Sequence, residues 1–255
     1  MTAVIEAQNF SLAIDGHWLL RDISFSLAKG QYLSVVGPNG AGKSTLIKAL
    51  LRLHEKALIK GAILLNGRNL FDYPRKELAR AIGYAPQAGG FIPPYSVREL
   101  IALSRYPRPD RLKDESVIAK ALNLTDLSAL ADRPLNSLSG GERQKAYLAA
   151  ALAQETPILA LDEPAAFLDP KHAFALDQLL RNLNQNQGLT VVTVTHDLNH
   201  PSFSGGLVLV LREGRLKYFG EAPALFSGRI LEETFDHRFV HLAHPLDGRP
   251  VVLAQ

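Results

Sequence analysis

Short apolar runs rich in β-branched residues alternate along this chain with stretches whose apolar positions recur every three or four residues. Residues 32–36, 158–161, 189–195 and 207–211 are of the first kind and read as strands. Residues 45–51, 97–104, 115–122 and 146–153 have helical spacing or strongly helix-forming composition. This alternation predicts an α/β fold, with a mostly parallel sheet and helices on both faces. Between Gln87 and Leu138 the texture changes: Gly89, Gly90, Pro93 and Pro94 make a loop, and two helical patterns follow. A helical lobe at 88–137 is therefore expected, inserted into a core made of 1–87 and 138–235. Ser96 followed by Glu99 has capping-box spacing at the start of the first lobe helix, and Pro107 marks its stop. Residues 236–255 show no period and read as a C-terminal tail, in which the irregular spacing of His237, His241 and His244 does not suggest a metal site.

Composition narrows the picture in a few places. A chain of 255 residues is long enough for one large α/β domain that buries roughly three quarters of its extended surface. Cysteine is absent and the single methionine is Met1, which excludes disulfides, thiolate metal sites and a cysteine nucleophile, and fits a reducing compartment. Glu6 and the lack of a basic start to an apolar run argue against a signal peptide. The longest apolar runs fall far short of the ~18 residues a membrane span requires, so the chain is not expected to cross a bilayer itself. A net charge of +3 without any block of like charges gives no reason to expect nucleic acid as a partner. The densest basic patch, Arg105, Arg108, Arg111 and Lys113, is broken by Pro107, Pro109 and Asp110 and reads as a solvated loop.

The chemistry is concentrated between the predicted elements. Gly37-Pro38-Asn39-Gly40-Ala41-Gly42-Lys43-Ser44 is a complete Gly-x4-Gly-Lys-Ser phosphate-binding loop joining a strand to a helix, with Thr45 following. Its glycines let backbone N–H groups point inward, and the helix opening at Gly42-Lys43 adds a positive dipole end, so the cavity suits a nucleoside triphosphate. Lys43 would reach the β- and γ-phosphates, and Ser44 would ligate Mg²⁺. Ser139 to Glu142 has capping-box spacing, so Ser139 is expected to cap a helix whose first N–H groups belong to Gly140 and Gly141. Such an exposed helix start is a second anion site, and with Lys43 already supplying one, it should serve another molecule's phosphate.

The run 158–161 ends in Asp162-Glu163. Ligands of a parallel sheet sit beyond the carboxyl ends of its strands, which assigns Asp162 to the Mg²⁺ held by Ser44 and leaves Glu163 to orient and deprotonate a water. His196 ends another apolar strand, where it can contact a γ-phosphate, and Gln87 can bridge Mg²⁺ and the attacking water. A phosphate loop alone fits kinases, GTPases, helicases and transport ATPases alike.

In order and spacing, the loop at 37–45, Gln87, the segment 138–142, Asp162-Glu163, the Leu168-Asp169 turn and His196 resemble the ATP-binding-cassette family across nearly the whole chain. The resemblance implies a P-loop NTPase fold with an N-terminal antiparallel β part and an inserted α-helical subdomain, and ATP with Mg²⁺ as the bound nucleotide. It also implies a head-to-tail homodimer, in which Ser139 and Gly141 of one subunit complete the ATP site at Lys43 of the other. Residues 95–107 and His196-Asp197-Leu198-Asn199 are similar to importer subunits serving ferric siderophores, haem and cobalamin. On that resemblance the chain is the ATP-hydrolysing subunit of an importer, peripheral at the cytoplasmic face of the inner membrane. Its partners would be integral-membrane permease subunits and, indirectly, a solute-binding protein.

Three positions depart from the family pattern: Ile14 stands where an aromatic often stacks on adenine, with Phe10 or Trp18 as substitutes; Phe167 replaces a small residue; and Pro201 with Gly205-Gly206 interrupts a helix. Two other readings remain at this level. A soluble assembly or scaffold ATPase on the same cassette is disfavoured because such proteins usually pair two cassettes in a chain. A catalytically dead nucleotide-binding module is disfavoured by the presence of both Glu163 and His196.

Overall fold

A computed structural model describes residues 3–54, 56–89, 92–108 and 114–255. In chain order the elements are β1 (Ala3–Ile14), β2 (His17–Ala28), β3 (Tyr32–Val36), α1 (Lys43–Leu50), β4 (Leu58–Leu65), β5 (Arg68–Asn69), α2 (Arg75–Ala81), β6 (Ile82–Ala85), α3 (Val97–Ser104), α4 (Asp114–Leu124), α5 (Gly140–Ala153) and β7 (Ile158–Asp162). There follow α6 (Pro170–Gln187), β8 (Thr190–Val194), α7 (His200–Ser204), β9 (Leu207–Arg212), β10 (Arg215–Glu221), α8 (Ala222–Phe226), α9 (Ile230–Phe235), β11 (Phe239–Ala243) and β12 (Pro250–Ala254). The chain divides into two compact units, Met1–Tyr73 with Thr190–Gln255, and Pro74–Leu189.

In the first unit the strands lie in the order β5-β4-β1-β2-β10-β9-β3-β8. Pairing is parallel where β3 meets β8 and β9, and antiparallel from β5 to β2. Every residue of β3 is buried, as a strand covered on both faces requires. Three hairpins turn on two residues with positive φ: Asp15-Gly16, Asn66-Gly67 and Glu213-Gly214. These are type I′ turns, whose twist matches that of the strands they join. Residues 236–255 do not form an irregular tail: β11 and β12 pair as an antiparallel hairpin whose Val252 joins Val208, Val210, Leu225 and Leu231 in an apolar cluster. Pro201 does not break a helix from within. It occupies the first turn of the short α7, which Gly205 ends at φ 69°.

The second unit holds the parallel pair β6 and β7 and the helices α2 to α6. Helix α5 presents Ala146, Ala149, Ala150 and Ala153 at helical spacing to Val97 and Ile101 of α3 and to Ile118 and Leu122 of α4. Small side chains on that face let the lobe helices approach closely, and both α3 and α5 open with the capping boxes expected at Ser96/Glu99 and Ser139/Glu142.

The basic patch departs from its sequence reading. Arg105 is not solvated but 3 % exposed. Its guanidinium donates to Asp114 at 2.8 Å, to Glu155 at 2.7 Å and to the Ala153 carbonyl at 2.9 Å, capping the end of α5. Arg108 donates to the carbonyls of Gln154 and Glu155. Gly90, Pro109, Asp110, Arg111 and Lys113 lie outside the described residues.

Candidate active site

In the first unit the phosphate loop leaves β3 at its carboxyl end and closes into α1. Gly37 sits at φ 153°, and a Cβ there would stand 2.2 Å from the Leu211 carbonyl oxygen. Gly42 caps α1 at φ 100°, with Leu20 only 2.9 Å from where its Cβ would be. Glycine is thus required at both by backbone conformation and by space. Pro38 is half-buried, Asn39 and Gly40 are exposed, and Ala41 is buried. The buried Lys43 donates from Nζ to the Gly37 carbonyl at 2.7 Å and the Pro38 carbonyl at 3.0 Å, which holds its ammonium inside the curve of the loop. Ser44 and Thr45 follow in the first turn of α1, half-buried.

His196 belongs to the same edge. Val194 of β8 is level with Val35 of β3, and the Thr195 N–H donates to the Val35 carbonyl at 3.1 Å, so His196 leaves its strand where the phosphate loop leaves β3. It is exposed, at the start of a turn in which the Asp197 N–H donates to Thr195 Oγ1 at 3.1 Å.

Phe10 is wholly buried and therefore no substitute for the adenine-stacking aromatic. Trp18 is half-buried, with the Lys60 ammonium 5.1 Å from its ring centre, and Ile14 is half-buried at the tip of β1.

In the second unit, β6 and β7 run parallel with Ala85 level with Leu161. Gln87 and Glu163 therefore emerge together, and Gln87 Nε2 donates to Glu163 Oε2 at 2.7 Å. Asp162, the last residue of β7, is buried, while Glu163 adopts φ 51°. That left-handed turn, which costs a non-glycine residue about 1–3 kcal/mol, aims two consecutive carboxylates in different directions. The phenol of Tyr84 is pushed up to about 12, first by burial and then by the Asp162 charge.

Ser139 caps α5 through Oγ, which accepts from the Glu142 N–H at 3.2 Å, while Glu142 Oε2 accepts from the Ser139 N–H at 2.8 Å. These bonds hold the Glu142 carboxyl below the usual carboxylate range. The N–H groups of Gly140 and Gly141 precede the helical ladder, which begins with Arg143 N–H to Ser139 O at 3.0 Å. They open onto a cleft of about 570 Å³ whose lining includes Glu142, Phe167, Asp169 and His172.

Phe167, 51 % exposed, lies directly on these glycines. A Cβ on Gly140 would meet the Phe167 side chain at 3.3 Å, and one on Gly141 would meet the Phe167 carbonyl oxygen at 2.9 Å. Sequence reasoning assigned no role to Gln144, whose side chain bonds the peptides on either side of Gln87.

These residues carry the features of a P-loop nucleotide-hydrolysing cassette, and the comparisons agree. The ABC transporter family model matches residues 20–166. Over 256 residues the chain is 34 % identical to the ferric enterobactin transport ATP-binding protein FepC of Escherichia coli (strain K12), covering 98 % of this chain and 94 % of that one. It is 35 % identical over 252 residues to the hemin import ATP-binding protein HmuV of Rhodococcus jostii (strain RHA1), covering 98 % and 85 %. Among solved structures, the dimeric post-hydrolysis ATP-binding cassette MJ0796 bound to ADP and Pi superposes with a TM-score of 0.77 at 27 % identity, covering 86 % of this chain and 98 % of that one. The chain belongs to the ABC transporter family, binds nucleotide and hydrolyses ATP.

Proposed function

We propose that this chain is the energy-coupling ATPase of an importer for a ferric siderophore or haem, acting as a homodimer against integral-membrane permease subunits that receive solute from a binding protein. The relatives named for enterobactin and hemin support the solute class. Among the described residues no helix is long and apolar enough to cross a membrane. The placement we propose, peripheral at the cytoplasmic face of the inner membrane, is supported by likeness to import ATP-binding proteins.

The observation that carries the catalytic reading is the 2.7 Å bond from Gln87 to Glu163 at the ends of adjacent parallel strands. In our reading the amides of residues 37–45 and the Lys43 ammonium bind the triphosphate, and His196 contacts the γ-phosphate. By their chemistry, the Ser44 hydroxyl in the first unit, and the buried Asp162 carboxylate and the Gln87 amide oxygen in the second, are each hard oxygen donors of the kind that would hold Mg²⁺. When bound, Mg²⁺ neutralises charge on the β- and γ-phosphate oxygens. Gln87, donating through Nε2, keeps Oε1 for the metal or the attacking water and holds Glu163 to accept the water's proton. Ser139, Gly140 and Gly141 receive the γ-phosphate held by a second copy.

Glu163→Gln keeps size and hydrogen bonding but cannot take the proton. Nucleotide titration should find ATP affinity nearly unchanged, and steady-state assays a hydrolysis rate lower by roughly 10²–10⁴. Asp162→Asn should lose activity that high Mg²⁺ partly restores. Hydrolysis at the parent rate in Glu163→Gln, or equal rescue of both variants by magnesium, would remove this division of labour.

A further inference from the structure

Gln144 lies in the second turn of α5 and is 1 % exposed. Its Oε1 accepts from the Ala88 N–H at 2.7 Å and its Nε2 donates to the Pro86 carbonyl at 3.2 Å. Those two groups flank Gln87, just past Ala85, where β6 ends and its ladder with β7 stops. A buried amide left unsatisfied costs about 1–3 kcal/mol, so this side chain supplies the backbone pairing that the strand no longer provides. With the peptides on both sides held, the reach of the Gln87 side chain to Glu163 Oε2 is set.

We propose that Gln144 is a positioning residue that ties the helix opening at Ser139–Gly141 to the Gln87–Glu163 pair of the same chain. Helix α5 carries both ends of this link, Gly140 and Gly141 in its first turn and Gln144 one turn on. Any shift of α5 on phosphate binding at its start would carry Gln144, and with it the peptides that aim Gln87. Engagement of one chain's signature segment by a second copy is thereby felt at that chain's own catalytic carboxylate, with every contact inside the unit Pro74–Leu189. The inference rests on the proposed roles of Glu163 as base and of Ser139–Gly141 as a phosphate receiver.

The test is steady-state hydrolysis by the full chain with MgATP. Gln144→Met, which keeps length and helix propensity but neither bond, should lower kcat about ten- to hundredfold, the scale of a misplaced catalytic group, while KM stays within about twofold. Gln87→Ala should lower kcat similarly, and the double variant should be no slower than Gln87→Ala alone, because Gln144 acts through Gln87. Gln144→Glu keeps the acceptor for Ala88 and loses the donor to Pro86; it decides by the same comparison if the methionine variant fails to fold. Losses that multiply in the double variant, or a parent kcat in both Gln144 variants, overturn the proposal. Hydrolysis at the parent rate by Glu163→Gln instead removes the reading beneath it, so the two failures are told apart.

Discussion

Two adjacent glycines at the opening of α5 face different constraints. Above Gly140 the nearest atoms are Phe167 Cβ at 3.3 Å and Cγ at 3.4 Å, which need give by only a few tenths of an ångström; above Gly141 the Phe167 backbone oxygen at 2.9 Å must shift, and the chain with it. Alanine in a helix gains about 0.5–1 kcal/mol over glycine, whereas overpacking against fixed atoms costs about 1–3 kcal/mol. Gly140→Ala should therefore melt near the parent temperature, while Gly141→Ala should melt lower and hydrolyse ATP at least about tenfold more slowly, with its phosphate loop still binding nucleotide. Calorimetry and a nucleotide titration on the pair check this; equal melting of the two variants would mean that the 2.9 Å approach at Gly141 relaxes at no cost. The departure from family pattern noted at Phe167 thus acquires a physical meaning, as a side chain laid over Gly140, 27 residues earlier in the chain.

At the scale of elements, the helix starts are the best-determined features. Glu99 is held below its usual range by the N–H and hydroxyl of Ser96, Glu142 by those of Ser139, and Asp169 by the N–H and ring of His172. A carboxyl with a depressed folded pKa contributes stability above its unfolded pKa and loses it as pH falls through the folded one. The melting temperature should therefore drop as pH is lowered from about 5 toward 3. Glu142→Gln should flatten part of that drop, and Ser139→Ala should cost about 1 kcal/mol at neutral pH. Melts across this range check both, and an unchanged acid slope in Glu142→Gln would count against the cap as its source.

Both capping boxes were legible because they depend on residues three apart. The antiparallel N-terminal part was expected from family likeness alone, although Asp15-Gly16 and Asn66-Gly67 are strong hairpin signals that periodicity did not weigh. The C-terminal hairpin was harder to read: its Asp247-Gly248 lies inside a longer loop, residues 244–249, and the exposed side chains of β11 include Val240 and Leu242, so polarity does not alternate along it.

For the whole molecule, the anion site proposed at Ser139–Gly141 predicts an association that is conditional on nucleotide. The isolated chain should be mostly monomeric, and its Glu163→Gln variant should sediment as a dimer with MgATP and as a monomer without it. The dimeric cassette to which this fold is similar supports that expectation. Unchanged mass on adding MgATP would remove the head-to-tail model.

What the sequence determined by itself is what short-range physics controls. A glycine loop ending in Lys43-Ser44, the caps of α3 and α5, and the fully buried strands β3 and β8 each follow from a few neighbouring residues. Only the tertiary structure decided that Gln87 donates to a carboxylate 76 residues away, that Gln144 reaches back 58 residues to Pro86, and that Arg105 is buried against Glu155 rather than solvated. Such partners are chosen by which strand ends lie level and which helix faces pack, and composition around one residue carries no record of the backbone group or charge that folding brings to it.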